Sequence, residues 1–395
     1  IDIHPYAAPY FSNRGLSYQA IKDYESALED YKNAIKIQPN FGFGYLNQGA
    51  LLLDLNKVDS AITSLEMAIL FMPENPAAYY TLGNAKMSLK DYAGGLINYN
   101  KAILLNPNFY NAIYNRGLAL FQLNRFQDAL SDFDSCNTSL SKAEGLLCLN
   151  ALGEHEEIYT RIDKLSQEDD VNISIAAISS FVAENKKRNT SHNFCKNPLD
   201  FLYFNNISPD INNAKSFINE TIEELRDIDC IWEPANKSTH NGFQAGIDLF
   251  ENPKGKMLEL QTLVLNELKK YHLKFKSEEC TFIQKWPSEM KITGWHVVLK
   301  KQGYQSAHIH PSGWLSGVIY LKVVPSLDQY EGAIEFGLEG DKYKFSHATT
   351  KKIMYNPKEG DIVLFPSSLH HKTIPFTSDR ERIIVAFDLL PTANQ

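Results

Sequence analysis

Two unlike regions are predicted: an α-helical solenoid over the first third and a strand-rich domain over the last. The fold class is therefore an α + β multidomain chain. Three observations carry this. Gly15, Gly49, Gly83 and Gly117 recur every 34 residues, a period that signals stacked helical hairpins. From about residue 280 the texture changes to short apolar or alternating runs punctuated by Gly, Pro, Asn and Asp, which reads as sheet. The length, 395 residues, suffices for two or three domains.

Each repeat position has a steric reason. Gly15 and Gly49 let the two helices of a hairpin approach closely, and Ala27 and Ala61 do so from the second helix. Tyr31, Leu65, Tyr99 and Phe133 supply bulk. Pro39, Pro73 and Pro107 end the second helix, which proline cannot continue. These positions resemble the tetratricopeptide repeat, with Phe11, Gly15, Tyr18, Ala27, Tyr31, Ala34 and Pro39 forming the first unit. Residues 1–142 read as four such units. The fourth decays, with Cys136 where Ala recurs and Ser141 where Pro recurs. Residues 143–190 read as helices that cap the array, then linker, because a terminal repeat needs a polar outer face.

A repeat array of this kind implies a peptide or protein partner held in its groove. Asn13, Asn47 and Asn115 share one position of the first helices, with Thr81 in the third unit. They are candidate contacts to the backbone of an extended peptide. The plainer alternative is that Asn is common at this repeat position. Tyr80 and Tyr114 add aromatic surface one residue earlier, or simply packing.

The stretch KKRNTSHNFCKNPLDF (186–201) is polar and aperiodic, which sets a boundary to a domain over 191–395 with its core at 280–391. NNAKSFINETIEELRDI and KGKMLELQTLVLNELKKYHLKF read as amphipathic helices, the second with Met257, Val264, Leu268 and Tyr271 near one face. STHNGFQAGIDLF between them reads as loop. TFIQKW, ITGWHVVLKK, WLSGVIYLKVV, GAIEFGL, KIMYN, DIVLFP and RIIVAFDLL read as strands, enough for a sandwich or barrel braced by the two helices.

Two histidine clusters fall in this region. His308 and His310, in QSAHIHP, have the i, i+2 spacing that puts both side chains on one face of an extended strand. The pair His370-His371 follows the strand DIVLFP. Two histidines from one segment and one from another make a three-ligand face on a metal, leaving positions open for substrate and oxygen. Any one of eleven histidines, taken singly, is more often a core or surface residue. The two clusters together, with Arg382 nearby, weigh toward a site.

Residues 236–391 resemble the iron(II)- and 2-oxoglutarate-dependent oxygenases, through HIHPSGWLSGVIYL, GDIVLFPSSLHHKTIP and ERIIVAFD. The resemblance implies a jelly-roll double-stranded β-helix and the cofactors Fe(II) and 2-oxoglutarate, with ascorbate as reductant. It makes His308 the first metal ligand and His371 the distal one, since Pro375 follows His371 in the family's register. It makes Arg382 the residue that grips the far carboxylate of 2-oxoglutarate, which a planar guanidinium suits. Arg380, in the turn TSDRE, is expected to be exposed. By likeness to prolyl-hydroxylase-type members, the Tyr320 hydroxyl bonds the same carboxylate. One departure stands out. The family's H-x-D/E motif has a carboxylate where this chain has His310, so His310 is either a direct ligand or holds a water outside the ligand set. Trp314 and Gly313 follow the ligands and are candidates to line the substrate mouth, or are packing. Trp295 and His296 carry the same two options.

Charge and composition bound the partners. With 39 basic and 47 acidic side chains the net charge is −8, so neither nucleic acid nor anionic membrane is expected. No apolar run nears the roughly 18 residues of a membrane span. The start, IDIHPYAAPY, lacks a signal-peptide pattern, and its first residue is not Met, as in a fragment or processed form. Five scattered cysteines argue against a disulfide framework or a cysteine zinc site. A cytoplasmic enzyme with reduced thiols is expected; no oligomeric state is readable. The leading expectation is an oxygenase hydroxylating a peptide or protein presented by the repeats. The alternatives are a 2-oxoglutarate oxygenase acting on a small molecule, a cupin-type metalloenzyme without 2-oxoglutarate, and a non-catalytic scaffold.

Overall fold

The computed structural model describes residues 7–234, 237–325, 329–343 and 351–391. The chain divides into two compact units, one made chiefly of residues 1–148 and the other chiefly of 149–395.

The first unit is a run of helical hairpins. α1 (Ala8–Ala20) pairs with α2 (Tyr24–Ile37), α3 (Gly42–Asp54) with α4 (Val58–Phe71), α5 (Pro76–Ser88) with α6 (Tyr92–Leu105), and α7 (Tyr110–Gln122) with α8 (Phe126–Cys136). The glycines act as the repeat pattern requires. A Cβ on Gly15 would lie 2.6 Å from the Tyr31 ring, on Gly49 2.7 Å from Leu65, and on Gly117 2.8 Å from Phe133. Each hairpin turn carries a left-handed residue at the same repeat position, Lys22, Asn56, Lys90 or Asn124. The next amide bonds back five residues, as from Asp23 N to Tyr18 O and from Arg125 N to Leu120 O. This closes the helix end.

Three further helices follow: α9 (Ser139–Leu152), α10 (His155–Glu168) and α11 (Ile173–Lys186). α11 is buried from Ile175 through Val182. A helix that is apolar all round needs neighbours on every side. Accordingly Ile173 and Ala176 join the core of the second unit, to which α10 and α11 belong.

The second unit holds two antiparallel sheets. Besides α10 and α11 it carries α12 (Ala214–Arg226), α13 (Gly255–Phe275) and the single turn α14 (Thr281–Gln284). Its strands are β1 (Tyr203–Asn206), β2 (Cys230–Trp232), β3 (Thr239–Ala245), β4 (Ile292–Gln305), β5 (Leu315–Lys322), β6 (Ile334–Gly337), β7 (Lys352–Tyr355), β8 (Asp361–Pro366), β9 (His370–Thr373) and β10 (Arg382–Leu389). The larger sheet runs β1-β8-β5-β10-β4-β3-β2 and the smaller β7-β6-β9. Two segments differ from expectation. STHNGFQAGIDLF contains β3, whose polar residues hide it from hydropathy because it lies next to the sheet edge. TFIQKW forms α14 and a turn instead of a strand, a short apolar run whose periodicity cannot tell helix from strand.

Alternation on β10 organises the sheet. Ile383, Val385, Phe387 and Leu389 pack into a core with Ile319 and Leu321 of β5 and with Met257, Leu260, Val264, Leu268 and Tyr271 of α13. Arg382, Ile384, Ala386 and Asp388 therefore share the opposite face. There Asp388 sits beside Ser316, Ala386 beside Val318, and Ile384 beside Tyr320. The polar residues of two apolar strands are thus gathered on one face.

Candidate functional site

His308 and His371 are joined by backbone, forming an antiparallel bridge between the segment before β5 and β9. His310 N also donates to Ser367 O at 3.0 Å, in the turn between β8 and β9. In β9, His371 stands opposite Phe336 and His370 opposite Gly337. Neighbours on a strand point to opposite faces, and His370 packs edge-on against Tyr343 at 4.9 Å between ring centres. His371 instead packs at 4.3 Å from His308, 5.0 Å from His310 and 4.5 Å from Phe365. One ring nitrogen from each of His308, His310 and His371 lies within 4.8 Å of the others.

The hydrogen bonds select the nitrogens. His308 Nδ1 donates to Ser306 O at 2.7 Å and His371 Nδ1 to Leu369 O at 3.2 Å. A carbonyl only accepts, so both rings carry their proton on Nδ1 and present a lone pair at Nε2. His310 Nδ1 donates to Asp388 Oδ1 at 2.6 Å. Ser316 Oγ donates to the same oxygen at 2.6 Å. Burial holds His308 down to about 4, helped by neighbouring His310, and holds His371 well below the ordinary imidazole range. At neutral pH these two rings are uncharged, the form that binds metal. Three convergent imidazoles fit Fe(II) or another borderline first-row ion.

Tyr320 and Arg382, on the neighbouring strands β5 and β10, form a second buried polar pair. Both are fully buried, and the guanidinium carbon lies 5.0 Å from the centre of the Tyr320 ring. Burial raises the phenol and lowers the guanidinium from their ordinary values. Apart from the contact between these two side chains, the Tyr320 hydroxyl and the Arg382 Nε and Nη1 are buried without a protein hydrogen-bond partner. A buried, unpaired guanidinium is costly, and its planar donors match a carboxylate. This donor set fits the far carboxylate of a small dicarboxylate. Glu381, the residue before Arg382, is contacted by Lys300 and Lys322 at 2.9 and 3.1 Å. Those lysines pull the Glu381 carboxyl down to about 2.

Other candidates fall outside this cluster. Trp314 is corrected: it is 1% exposed, packs on Phe194 and Phe282, and its indole donates to Phe282 O at 3.0 Å. Its bulk fills the core and leaves no face for a substrate. Arg380 is exposed, as expected. Trp295 lies 5.6 Å from the His310 ring, whereas His296 is buried beside Cys230 at 3.1 Å. In the repeats Asn13 is exposed. Asn47 donates to Ser12 Oγ at 3.0 Å and Asn115 to Asn84 Oδ1 at 2.8 Å. These two side chains already tie adjacent hairpins together.

Sequence reasoning missed Asp388, Ser316 and Ser367. The signal for Asp388 was present as the single acid within RIIVAFDLL, six residues after Arg382 and hence on its face. The two serines had no signal, because their role depends on cross-strand register.

Comparison with known proteins bears on both units. A family model described as "Putative 2OG-Fe(II) oxygenase" matches residues 293–388. Tetratricopeptide-repeat models match residues 8–41 and 80–135. The small glutamine-rich tetratricopeptide repeat-containing protein 2 of Mycosarcoma maydis is 40% identical over 52 residues, 13% of this chain and 15% of that protein. Among solved structures, MamA matches with 21% identity and a TM-score of 0.38, covering 40% of this chain and 90% of its own. YrrB, described as a TPR protein with an unusual peptide-binding site, matches with 19% identity and a TM-score of 0.40, covering 47% of this chain and 94% of its own. The chain carries tetratricopeptide repeats in its N-terminal region and a 2OG-Fe(II) oxygenase-type domain at 293–388.

Proposed function

We propose that residues 191–395, with a double-stranded β-helix core at 280–391, form an Fe(II)- and 2-oxoglutarate-dependent hydroxylase, and that repeats within 1–142 bind its peptide or protein substrate. The observation that carries this reading is the pairing of a three-histidine cluster with the buried, unpartnered donors of Tyr320 and Arg382.

In this reading His308, His310 and His371 hold the metal through Nε2. When bound, iron with 2-oxoglutarate and oxygen supplies a two-electron oxidation that gives succinate, carbon dioxide and a hydroxylated substrate carbon. The protein's own contribution is placement. Backbone carbonyls of Ser306 and Leu369 hold two imidazoles in the metal-ready tautomer. Arg382 and Tyr320 orient the dicarboxylate from its far end, in a region closed to water. The peptide role is supported by the repeat architecture, which builds extended binding surfaces from successive first helices, and by the exposure of Asn13. Among the described residues no helix is long and apolar enough to cross a membrane. None of the five cysteines is in a disulfide, which suits a reducing compartment, and the reading takes the protein as cytoplasmic.

The test is succinate formation from 2-oxoglutarate with Fe(II) and ascorbate in air, with and without a peptide library. Succinate from the wild type that is lost in His371→Ala and Arg382→Ala supports the oxygenase. Stimulation by particular peptides supports the substrate class. Failure of 2-oxoglutarate to bind the iron-loaded protein overturns the reading in favour of a cupin-type enzyme or scaffold.

A further inference from the structure

We propose that Asp388 is a positioning residue that delivers, through His310, the negative charge a three-histidine ligand set lacks. The inference rests on the reading of His308, His310 and His371 as metal ligands.

The three imidazoles are not equivalent. His308 and His371 give their Nδ1 protons to uncharged backbone carbonyls, of Ser306 and Leu369. Only His310 gives its proton to a carboxylate, at 2.6 Å. It also stands where the H-x-D/E pattern would have an anionic ligand. The anion is therefore present, but one residue further out, relayed by the imidazole.

Asp388 is 7% exposed. Its hydrogen-bond donors are the His310 Nδ1–H and the Ser316 hydroxyl, and its one ion-pairing partner among the described residues is His310. Burying a carboxylate costs free energy that a cation close by reduces. A divalent ion on the far nitrogen of His310 offsets that cost, polarises the Nδ1–H and strengthens the 2.6 Å bond to the carboxylate. In return the carboxylate makes His310 a stronger electron donor to the metal.

The surroundings keep this arrangement rigid. Asp388 lies on β10, hydrogen-bonded on both sides, to β5 and to β4. Ser316 Oγ is shared with Ser367 Oγ at 2.8 Å. A Cβ on Gly313 would come 2.6 Å from Ser367 Oγ and 3.0 Å from Asp388 Cγ, so the backbone after the ligands closes directly over the network.

The experiment uses the full chain. Fe(II) and Co(II) are titrated anaerobically into the wild type, Asp388→Asn, Asp388→Glu and Ser316→Ala, and the Fe(III)/Fe(II) potential of each is measured. The expected result is roughly 10- to 100-fold weaker metal binding in Asp388→Asn, a more positive potential, and partial return of both in Asp388→Glu. Weaker binding at an unchanged potential would mean a purely structural role and overturns the proposal, as would no change in either. A measurement on the wild type guards against variants that do not fold. In the Zn(II)-loaded protein the Nδ1 proton of His310 should resonate furthest downfield of the three ligand histidines, and an undistinguished His310 proton overturns the proposal. If the wild type binds no metal that His371→Ala abolishes, the ligand reading falls, and this proposal with it.

Discussion

His308 and His371, 63 residues apart in sequence, exchange two backbone hydrogen bonds of 3.1 Å each. The bridge holds the two ligand segments together by main-chain pairing, so the histidine cluster is formed by the fold itself. Metal is then a stabilising ligand and not a requirement for folding. Chelator treatment should leave the far-UV circular dichroism unchanged. Co(II) at 100-fold over its Kd should add about 2.7 kcal/mol, read as a rise in Tm that His371→Ala does not show. Loss of secondary structure on chelation would contradict a preformed site.

Arg382 should separate binding from stability. Its buried Nε and Nη1 lack protein partners, so Arg382→Leu should leave the free protein as stable as the wild type or more so. The same change should weaken 2-oxoglutarate binding roughly 30-fold or more, the lower end expected for losing a buried charged contact. Tyr320→Phe should cost about fivefold, near the value of one hydrogen bond. Calorimetric titration with 2-oxoglutarate beside urea unfolding checks both halves. An Arg382→Leu protein that binds 2-oxoglutarate normally would remove Arg382 from the site.

His296 gives a pH dependence away from the ligand cluster. An imidazole in the unfolded chain titrates near 6.5, and burial holds His296 down to about 4 in the fold. Between those values the unfolded chain takes up a proton that the folded chain refuses. Stability is therefore whole above about pH 6.5 and falls toward pH 4, by on the order of 3 kcal/mol from this residue. All four tryptophans (Trp232, Trp286, Trp295 and Trp314) lie in the second unit, so their fluorescence follows its urea unfolding. His296→Gln should flatten the decline, and equal slopes in the two proteins would count against this account.

The repeat glycines predict a coupling. Gly49→Ala puts a methyl 2.7 Å from the Leu65 side chain and 3.2 Å from the Ala61 carbonyl, an overpacking that should cost about 1–3 kcal/mol. Leu65→Ala should cost less in the Gly49→Ala background than in the wild type, because the two side chains compete for one space. Thermal melts followed by the helical signal at 222 nm would measure the cycle. Additive effects would show that the two positions do not share that space.

Much of this was legible in the sequence because it depends on local period. The 34-residue spacing of Gly15 to Gly117 marks the hairpins, the apolar spacing of α13 marks its buried face, and His308-x-His310 marks a shared direction. Segments without a clean period misread. β3 looks like loop because Thr239, Asn241 and Gln244 are polar, and TFIQKW looks like strand because a four-residue turn is too short to show helical spacing.

Trp314 shows the limit for single residues. Its place after the ligands left substrate contact and packing both open, and the indole proton is held by Phe282 O while the ring fills the core. Burial is set by what packs from elsewhere in the chain, here Phe194 and Phe282. Asn47 and Asn115 teach the same lesson in the repeats, where the neighbouring hairpin supplies Ser12 and Asn84 as partners.

The sequence by itself determined which side chains share a repeat position or a strand face, since those follow from the fixed periods of helix and sheet. Only the tertiary structure decided which faces meet. It brought Asp388 to His310 across 78 residues, stacked Arg382 over Tyr320, and turned His371 toward His308 and His370 away. These depend on cross-strand register and on which strands become neighbours, and pairing between distant segments leaves no periodic trace in either one.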